Sequence, residues 1–241
     1  SGSSNILLGG CAGRCQCCGG HNIALGNSAL LGSSTTSNNI GNYNIALGGA
    51  AAQLISSACR NISIGNVSHH CMTTGCCNIG IGFCAGMGCG GAMTGLNNIH
   101  IGSSAGYCNA VGSWNVAIGC AAGCKETTGC YNVSVGFKAG CAVSAGNNNT
   151  WIGGYKTGAD STSGDKNVAI GNDAQVASTT GSCQLSIAFG SSDFWIRGDS
   201  SKHIQPGAGI RDTSGSLGSA GQYLCTTGSG VAWAAVSGGG F

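Results

Sequence analysis

The chain repeats one short motif at a nearly constant interval of 17 residues, and this period is its strongest structural constraint. The motif is asparagine, two aliphatic residues that flank a third residue, and then glycine, often followed by an alanine seven positions after the asparagine. A fixed period of this length is typical of a solenoid, in which each repeat stacks on its neighbours. The motif begins at Asn5, Asn22, Asn44, Asn61, Asn78, Asn98, Asn115, Asn132, Asn149 and Asn167, and a degenerate copy begins at Gln184.

Each repeat predicts a short strand followed by tight turns. The alternation of aliphatic residues has the period of two that strands require, and the glycines permit the corners. Two longer repeats carry insertions, which we place as loops at one corner. We therefore predict an all-β fold, a parallel β-solenoid of about ten coils in residues 1–190. Residues 191–241 are expected to form a capping segment and a short non-repeating C-terminal β region.

The repeated asparagines predict a structural ladder rather than a catalytic site. Even when fully buried, the two aliphatic side chains of one coil contribute much less free energy than ordering the backbone of that coil costs. Bonds between coils must therefore supply much of the stability, and identical amides stacked in register can form such bonds along the axis.

Composition excludes several classes of function. Charged residues make up 7% of the chain and its net charge is +2, which leaves no basic surface for nucleic acid or an anionic membrane. Apolar residues are scattered, so no run approaches the ~18–20 residues of a membrane span. The aspartates are late and scattered, with no paired histidine or nucleophile. We expect no enzyme activity and no cofactor.

The middle residue of each strand is small in most repeats. If the flanking aliphatics face the coil interior, this residue points outward, and small outward residues suggest that a second copy packs closely on them. We predict an oligomer face, around which a homotrimer assembles; the alternative is a monomeric solenoid with a plain small-residue face. The proposed face consists of Ala24, Ala46, Ser63, Gly80, His100, Ala117, Ser134, Trp151 and Ala169.

The repeat from residue 5 to about 190 resembles the head repeats of trimeric autotransporter adhesins, the YadA-like parallel β-rolls. The stretch from Gly218 to Trp233 is similar to a motif of phage tail fibres, including those of cyanophages. Together these resemblances imply a trimeric fibre or spike in a virion appendage, with other tail or capsid proteins and a host-surface receptor as partners. A bacterial surface adhesin head and a subunit of an extracellular filament are the alternatives. The resembled families are not usually so rich in cysteine.

Seventeen cysteines cannot all pair within one chain. Cys59 and Cys76 occupy the same repeat position in successive coils, as do Cys124 and Cys141. Stacking brings the Cα atoms of each pair to about 4.8 Å, within the range for a disulfide. The alternative is that these cysteines fill space as small apolar residues.

Metal binding has weaker support. Cys15, Cys17, Cys18 and His21 carry suitable ligand atoms, but their spacing departs from the two separated knuckles of zinc sites. His100 would gather three imidazoles if its strand faced a threefold axis. We retain these five residues as candidates and predict no metal.

Overall fold

The fold is all-β, and it was analysed in a computed structural model that describes residues 3–15, 18–32, 41–89, 91–206, 208–211, 213–219, 222–227 and 229–235. None of the described residues belongs to a helix that could cross a membrane. The strands are β1 (Ile6–Leu8), β2 (Ile23–Leu25), β3 (Ile45–Leu47), β4 (Ile62–Ile64), β5 (Ile79–Ile81), β6 (Ile99–Ile101), β7 (Val116–Ile118), β8 (Val133–Phe137), β9 (Thr150–Tyr155), β10 (Val168–Ile170), β11 (Leu185–Ala188), β12 (Phe194–Gly198), β13 (Ile204–Pro206), β14 (Gln222–Thr226) and β15 (Val231–Ala235).

The predicted parallel β-solenoid is confirmed. Strands β1 to β11 follow one another in a single sheet and pair in parallel, with equivalent repeat positions opposite each other. The two longer repeats keep this register, since Ile23 pairs with Ile45 and Ile79 with Ile99. The direction then reverses, because β12 and β13 pair antiparallel. Strands β14 and β15 form a separate antiparallel pair.

An asparagine ladder runs through the stack on the inner side of the strands. The Oδ1 atom of each ladder asparagine accepts the backbone N–H of the next one, as from Asn115 to Asn98 (2.9 Å) and from Asn132 to Asn115 (2.9 Å). The Nδ2 group donates to a carbonyl at the closing corner of its own coil, as from Asn115 to Gly129 (2.8 Å). Each amide therefore ties its coil to the next coil and also closes its own.

Backbone hydrogen bonds extend this ladder around the rest of the coil. In the seventh coil, bonds to neighbouring coils begin at the N–H groups of Val116, Gly119, Ala121 and Gly123, at 2.8–2.9 Å. Only the first two of these residues lie in or next to a strand. Turns as well as strands therefore pair with the coils above and below, which gives the stack its constant rise.

The predicted direction of the strand side chains is wrong. The middle residues point into the coil and are buried, with exposed fractions of 0–2% for Ala24, Ala46, Ser63, His100, Ala117, Ser134, Trp151 and Ala169, and Gly80 is buried with them. They therefore form no outer face for a second copy. The physical reason is the ladder: the asparagine side chain must point inward, and the period of two then turns the middle residue inward as well.

The coil interior is filled by pairs of residues of complementary size. The residue six positions after the middle residue, or seven in the ninth coil, also faces inward, and where one member of this pair is large the other is small. Trp151 lies against Gly158, where a Cβ atom would overlap the indole ring. His100 lies in the same way against Gly106, and Leu30 is opposite Ala24. This narrow cross-section explains why the inward positions are mostly small.

The glycine after each strand is required by its backbone conformation and by its neighbours. Gly119 has a φ of 126°, which residues with a side chain rarely adopt. A Cβ atom there would also lie 2.5 Å from the carbonyl oxygen of Gly136 in the next coil. The coil therefore turns immediately after the strand, which limits most strands to three residues.

Replacing Asn115 by alanine is expected to lower the free energy of unfolding by about 2–6 kcal/mol. The change leaves the buried N–H of Asn132 and the C=O of Gly129 without their partners, and each such loss costs about 1–3 kcal/mol. Denaturant unfolding followed by circular dichroism measures the effect. The matched control is Asn66→Ala, at an exposed asparagine, which should change the value by less than about 0.5 kcal/mol. An equal decrease in the free energy of unfolding in both variants would contradict the conclusion that the ladder amides stabilise the stack.

Candidate functional site

The largest functional candidate is an outward apolar surface, which we call the aliphatic face. It consists of the first and third residues of the strand motif in each of the eleven parallel strands, and none of these side chains is fully buried. Its members are Ile6, Leu8, Ile23, Leu25, Ile45, Leu47, Ile62, Ile64, Ile79, Ile81, Ile99, Ile101, Val116, Ile118, Val133, Val135, Thr150, Ile152, Val168, Ile170, Leu185 and Ile187. Thr150 is the one polar member, and the face carries no charge.

The aliphatic face is large enough to be an interface. Eleven strands at about 4.8 Å make it about 50 Å long. Two side-chain rows make it about 10–15 Å wide, which gives about 500–750 Å². A monomer seldom exposes a contiguous apolar patch beyond a few hundred Å², and a standard interface buries about 800 Å² per partner. The face therefore approaches the size of one side of a stable interface.

A row of exposed corner residues borders the aliphatic face. Each corner residue directly precedes a ladder asparagine, and planar side chains in neighbouring coils stack on each other. The rings of Trp114 and Tyr131 lie 6.2 Å apart at 3°, and those of His21 and Tyr43 lie 4.9 Å apart at 4°. The guanidinium of Arg60 continues the second stack over Tyr43 at 5.9 Å. These stacks make the border of the face partly aromatic.

The structure brings both predicted cysteine pairs together as neighbours on successive coils. The sulfur atoms of Cys59 and Cys76 are 2.7 Å apart, and the N–H of Cys59 also donates to the sulfur of Cys76 at 3.1 Å. The thiol of Cys124 donates to the carbonyl of Cys141 at 3.6 Å. All four are free thiols in this structure.

One disulfide lies elsewhere, between Cys89 and Cys108, which sequence reasoning missed. The two residues do not share a repeat position, because Cys89 lies one place further from its ladder asparagine, Asn78, than Cys108 does from Asn98. Cys89 belongs to one of the two longer repeats, whose insertion shifts the numbering of the corner. An alignment of the two coils that allowed for this insertion would have placed Cys89 opposite Cys108.

The metal candidates do not converge. Cys17 lies outside the described residues. Within the part of the chain that the structure describes, no three His, Cys, Asp or Glu side chains form a group able to hold a metal ion, and Cys15, Cys18 and His21 are all exposed. His21 instead stacks on Tyr43. His100 is buried inside a single coil and points at His69, so the prediction that it faces a threefold axis is wrong.

Burial displaces the pKa values of several interior groups. Burial raises the pKa of Glu126 to about 8, although a hydrogen bond from the amide of Asn132 acts in the opposite direction. Because burial favours the neutral carboxyl of Glu126, its contribution to stability is complete below about pH 4.5. That contribution decreases as the pH rises from about 4.5 to about 8.

Comparison of the chain with protein-family models, with curated proteins and with solved structures finds no match.

Mild oxidation is expected to join Cys59 to Cys76, because their sulfur atoms already approach each other in the folded chain. Peptide mapping by mass spectrometry without reduction measures the crosslink. The matched control is Cys183, an exposed cysteine on the corner row, which should stay open to alkylation in the same sample. Random pairing of Cys183 with Cys59 or Cys76 in the monomer would contradict the stacking.

Cys141 is expected to be the fastest of the paired thiols to react with iodoacetamide near neutral pH. Hydrogen bonding between the Cys124 and Cys141 side chains, helped by the charges of Lys138 and Lys125, lowers the pKa of Cys141 to about 6. The same bond and burial raise the pKa of Cys124. The rate at Cys141 should therefore rise between pH 5 and 7 and then level off, as measured by time-resolved mass spectrometry. A rate still rising in proportion to hydroxide above pH 8 would contradict it, and Cys124→Ser should move the midpoint upward.

Proposed function

We propose that the protein is a structural fibre or spike protein whose copies assemble through the aliphatic face. The observation that carries this proposal is the uncharged aliphatic double row on eleven successive strands. The row is too long and too apolar to be left in water by a chain of this size. It offers no carboxylate, base or other reactive group, so the proposal assigns the chain no catalytic role.

A second copy of this chain is the occupant that fits the aliphatic face best. The rows repeat along the axis at the strand spacing, so an identical copy can match them in register along their whole length. The low net charge of +2 adds little repulsion between copies. We propose a homotrimer, the state that the resemblance to autotransporter heads implies, with the aliphatic face turned toward the shared axis.

We further propose that this trimer is a stiff shaft in a virion appendage. The resemblance of the stretch from Gly218 to Trp233 to phage tail fibres supports this placement. In that stretch β14 and β15 form a hairpin, and the indole of Trp233 donates to the carbonyl of Ser216 at 2.9 Å. Other tail or capsid proteins would hold the shaft, and a host-surface receptor would bind its loops or tip.

Assembly through the aliphatic face is tested by placing lysines on it. Ile81→Lys with Ile118→Lys puts two charges on exposed members of the face, where an apolar interface would desolvate them. Sedimentation equilibrium should show a trimer for the natural chain and a monomer for the variant. Far-ultraviolet circular dichroism should be unchanged, because neither side chain points into the coil.

The matched control is Thr128→Lys, an exposed residue outside the face and the corner row, which should remain trimeric. A natural chain that is monomeric at micromolar concentration would refute the proposal. So would a lysine variant that assembles as well as the control.

A further inference from the structure

Two histidines meet inside the solenoid, beside a coil that has glycine at two of its inward positions. His69 belongs to the fourth coil and His100 to the sixth, and both are fully buried. Their rings are 6.0 Å apart at 71°. The fifth coil between them carries glycine at the two positions that oppose each other across the coil, Gly80 and Gly86. The imidazoles occupy the space that side chains there would fill, since a Cβ atom at either glycine would lie within 2.8 Å of a ring atom.

The outer nitrogen of each ring has a hydrogen-bond partner. Nδ1 of His69 lies 2.9 Å from the hydroxyl of Ser63, and Nε2 of His100 lies 3.3 Å from the side-chain amide of Asn109. The inner nitrogens, Nε2 of His69 and Nδ1 of His100, are buried without any partner. A buried polar atom left in this way costs about 1–3 kcal/mol, so two of them in one place call for a ligand.

Both inner nitrogens face the same point beside Gly86. A Cβ atom at Gly86 would lie 2.8 Å from Nε2 of His69 and 2.6 Å from Nδ1 of His100, so the two nitrogens are no farther apart than the sum of these distances. A water molecule at ordinary hydrogen-bond distances spans up to about 5.5–6 Å between two partners, which covers that separation. Water can also donate to one nitrogen and accept from the other, so it fits either tautomer of each ring.

We propose that one water molecule bridges Nε2 of His69 to Nδ1 of His100, and that this bridged pair is the acid-labile joint of the solenoid. The bridge connects the fourth coil to the sixth across the glycines of the fifth. Protonation of either ring places a positive charge in the coil interior and two donors where the bridge needs a donor and an acceptor. The coils on either side must then separate to let water solvate the charge.

The surroundings contain nothing that would compensate such a charge. Residues 61–114 include no Asp, Glu, Lys or Arg. The other titratable groups of these three coils are His70, Tyr107 and cysteines, and His70 is half-buried. Burial, and secondarily the neighbouring His100, lower the pKa of His69 to about 3; burial lowers the pKa of His100 to about 4.

Acid is expected to destabilise the folded chain, because folding lowers the pKa of both histidines. In the unfolded chain both histidines bind a proton as the pH falls through about 6.5. The folded chain does not bind them until the pH is below about 4. Between these values the unfolded state holds up to two more protons, so acid favours unfolding. The stability from the neutral pair is complete above about pH 6.5 and is lost as the pH falls toward 4.

The test compares the natural chain with the double variant His69→Gly, His100→Ala. Both substitutions install residues that the repeat itself uses at these positions, so the variant is expected to fold. Between pH 5.5 and 4.5 the ratio of the two unfolding constants, natural chain over variant, should rise by about 100-fold. For the single variant His69→Gly, which keeps His100, the ratio of its unfolding constant to that of the double variant should rise by about 10-fold over the same pH range. Because Glu126 and His70 are present in all three proteins, their titrations cancel in these ratios.

The matched control replaces the exposed His21 by glutamine and leaves the buried pair intact, so the loss of stability with acid should persist in it. Hydrogen exchange measured at pH 5 should show lost protection concentrated in residues 61–115, with residues 132–187 still protected. If the ratio of the unfolding constants of the natural chain and the double variant does not change with pH, the histidine pair is not the acid-labile part of the stack. Protection that is lost evenly along the stack would also contradict the proposal. A high-resolution crystal structure should show one water peak within hydrogen-bond distance of both nitrogens, and an empty site or a metal ion there would overturn the bridge.

Discussion

The structure depends on the hydrogen bonds between successive coils, and above all on the buried asparagine amides. A single coil is too small to be stable alone, because its interior holds only a few side chains, most of them small. Each ladder amide receives a backbone N–H from one neighbour and closes its own coil, so it fixes both the rise and the cross-section. The side chains inside the coil and the residues at its corners must be compatible with this rise and this cross-section.

The ladder also decides where the hydrophobic residues go. With the asparagine directed inward, the middle strand residue follows it, and the two aliphatic residues are left outside. The interior is thus narrow, partly polar and built from small residues, whereas the larger aliphatic side chains lie on the surface. In a globular domain this distribution would be unstable in water. In the proposed fibre it would leave the apolar surface available for association between copies.

Much of the fold could be predicted from sequence, since the fixed period and the position of Gly119 and its equivalents define the coil. The rule that aliphatic residues lie inside gave the wrong direction for the side chains of Ala117 and its equivalents. The buried hydrogen bonds of the asparagine side chain require it to point inward, and this requirement overrides the rule. The period of two that links Asn115 to Ala117 was the available signal. The histidine pair was missed for another reason. His69 occupies a position that is glycine or a small residue in most coils, and only the stacking shows that it reaches His100 across Gly86.

The two longer repeats have a consequence for how such a molecule could vary. Their extra residues leave the strands in register, so Ile23 still meets Ile45 and Ile79 still meets Ile99. The length of the solenoid is therefore counted in coils, at about 4.8 Å for each, and not in residues. A lineage could lengthen or shorten the solenoid by whole repeats and remodel its side loops independently. Mechanical dimension and surface decoration are thus encoded in separate parts of each repeat.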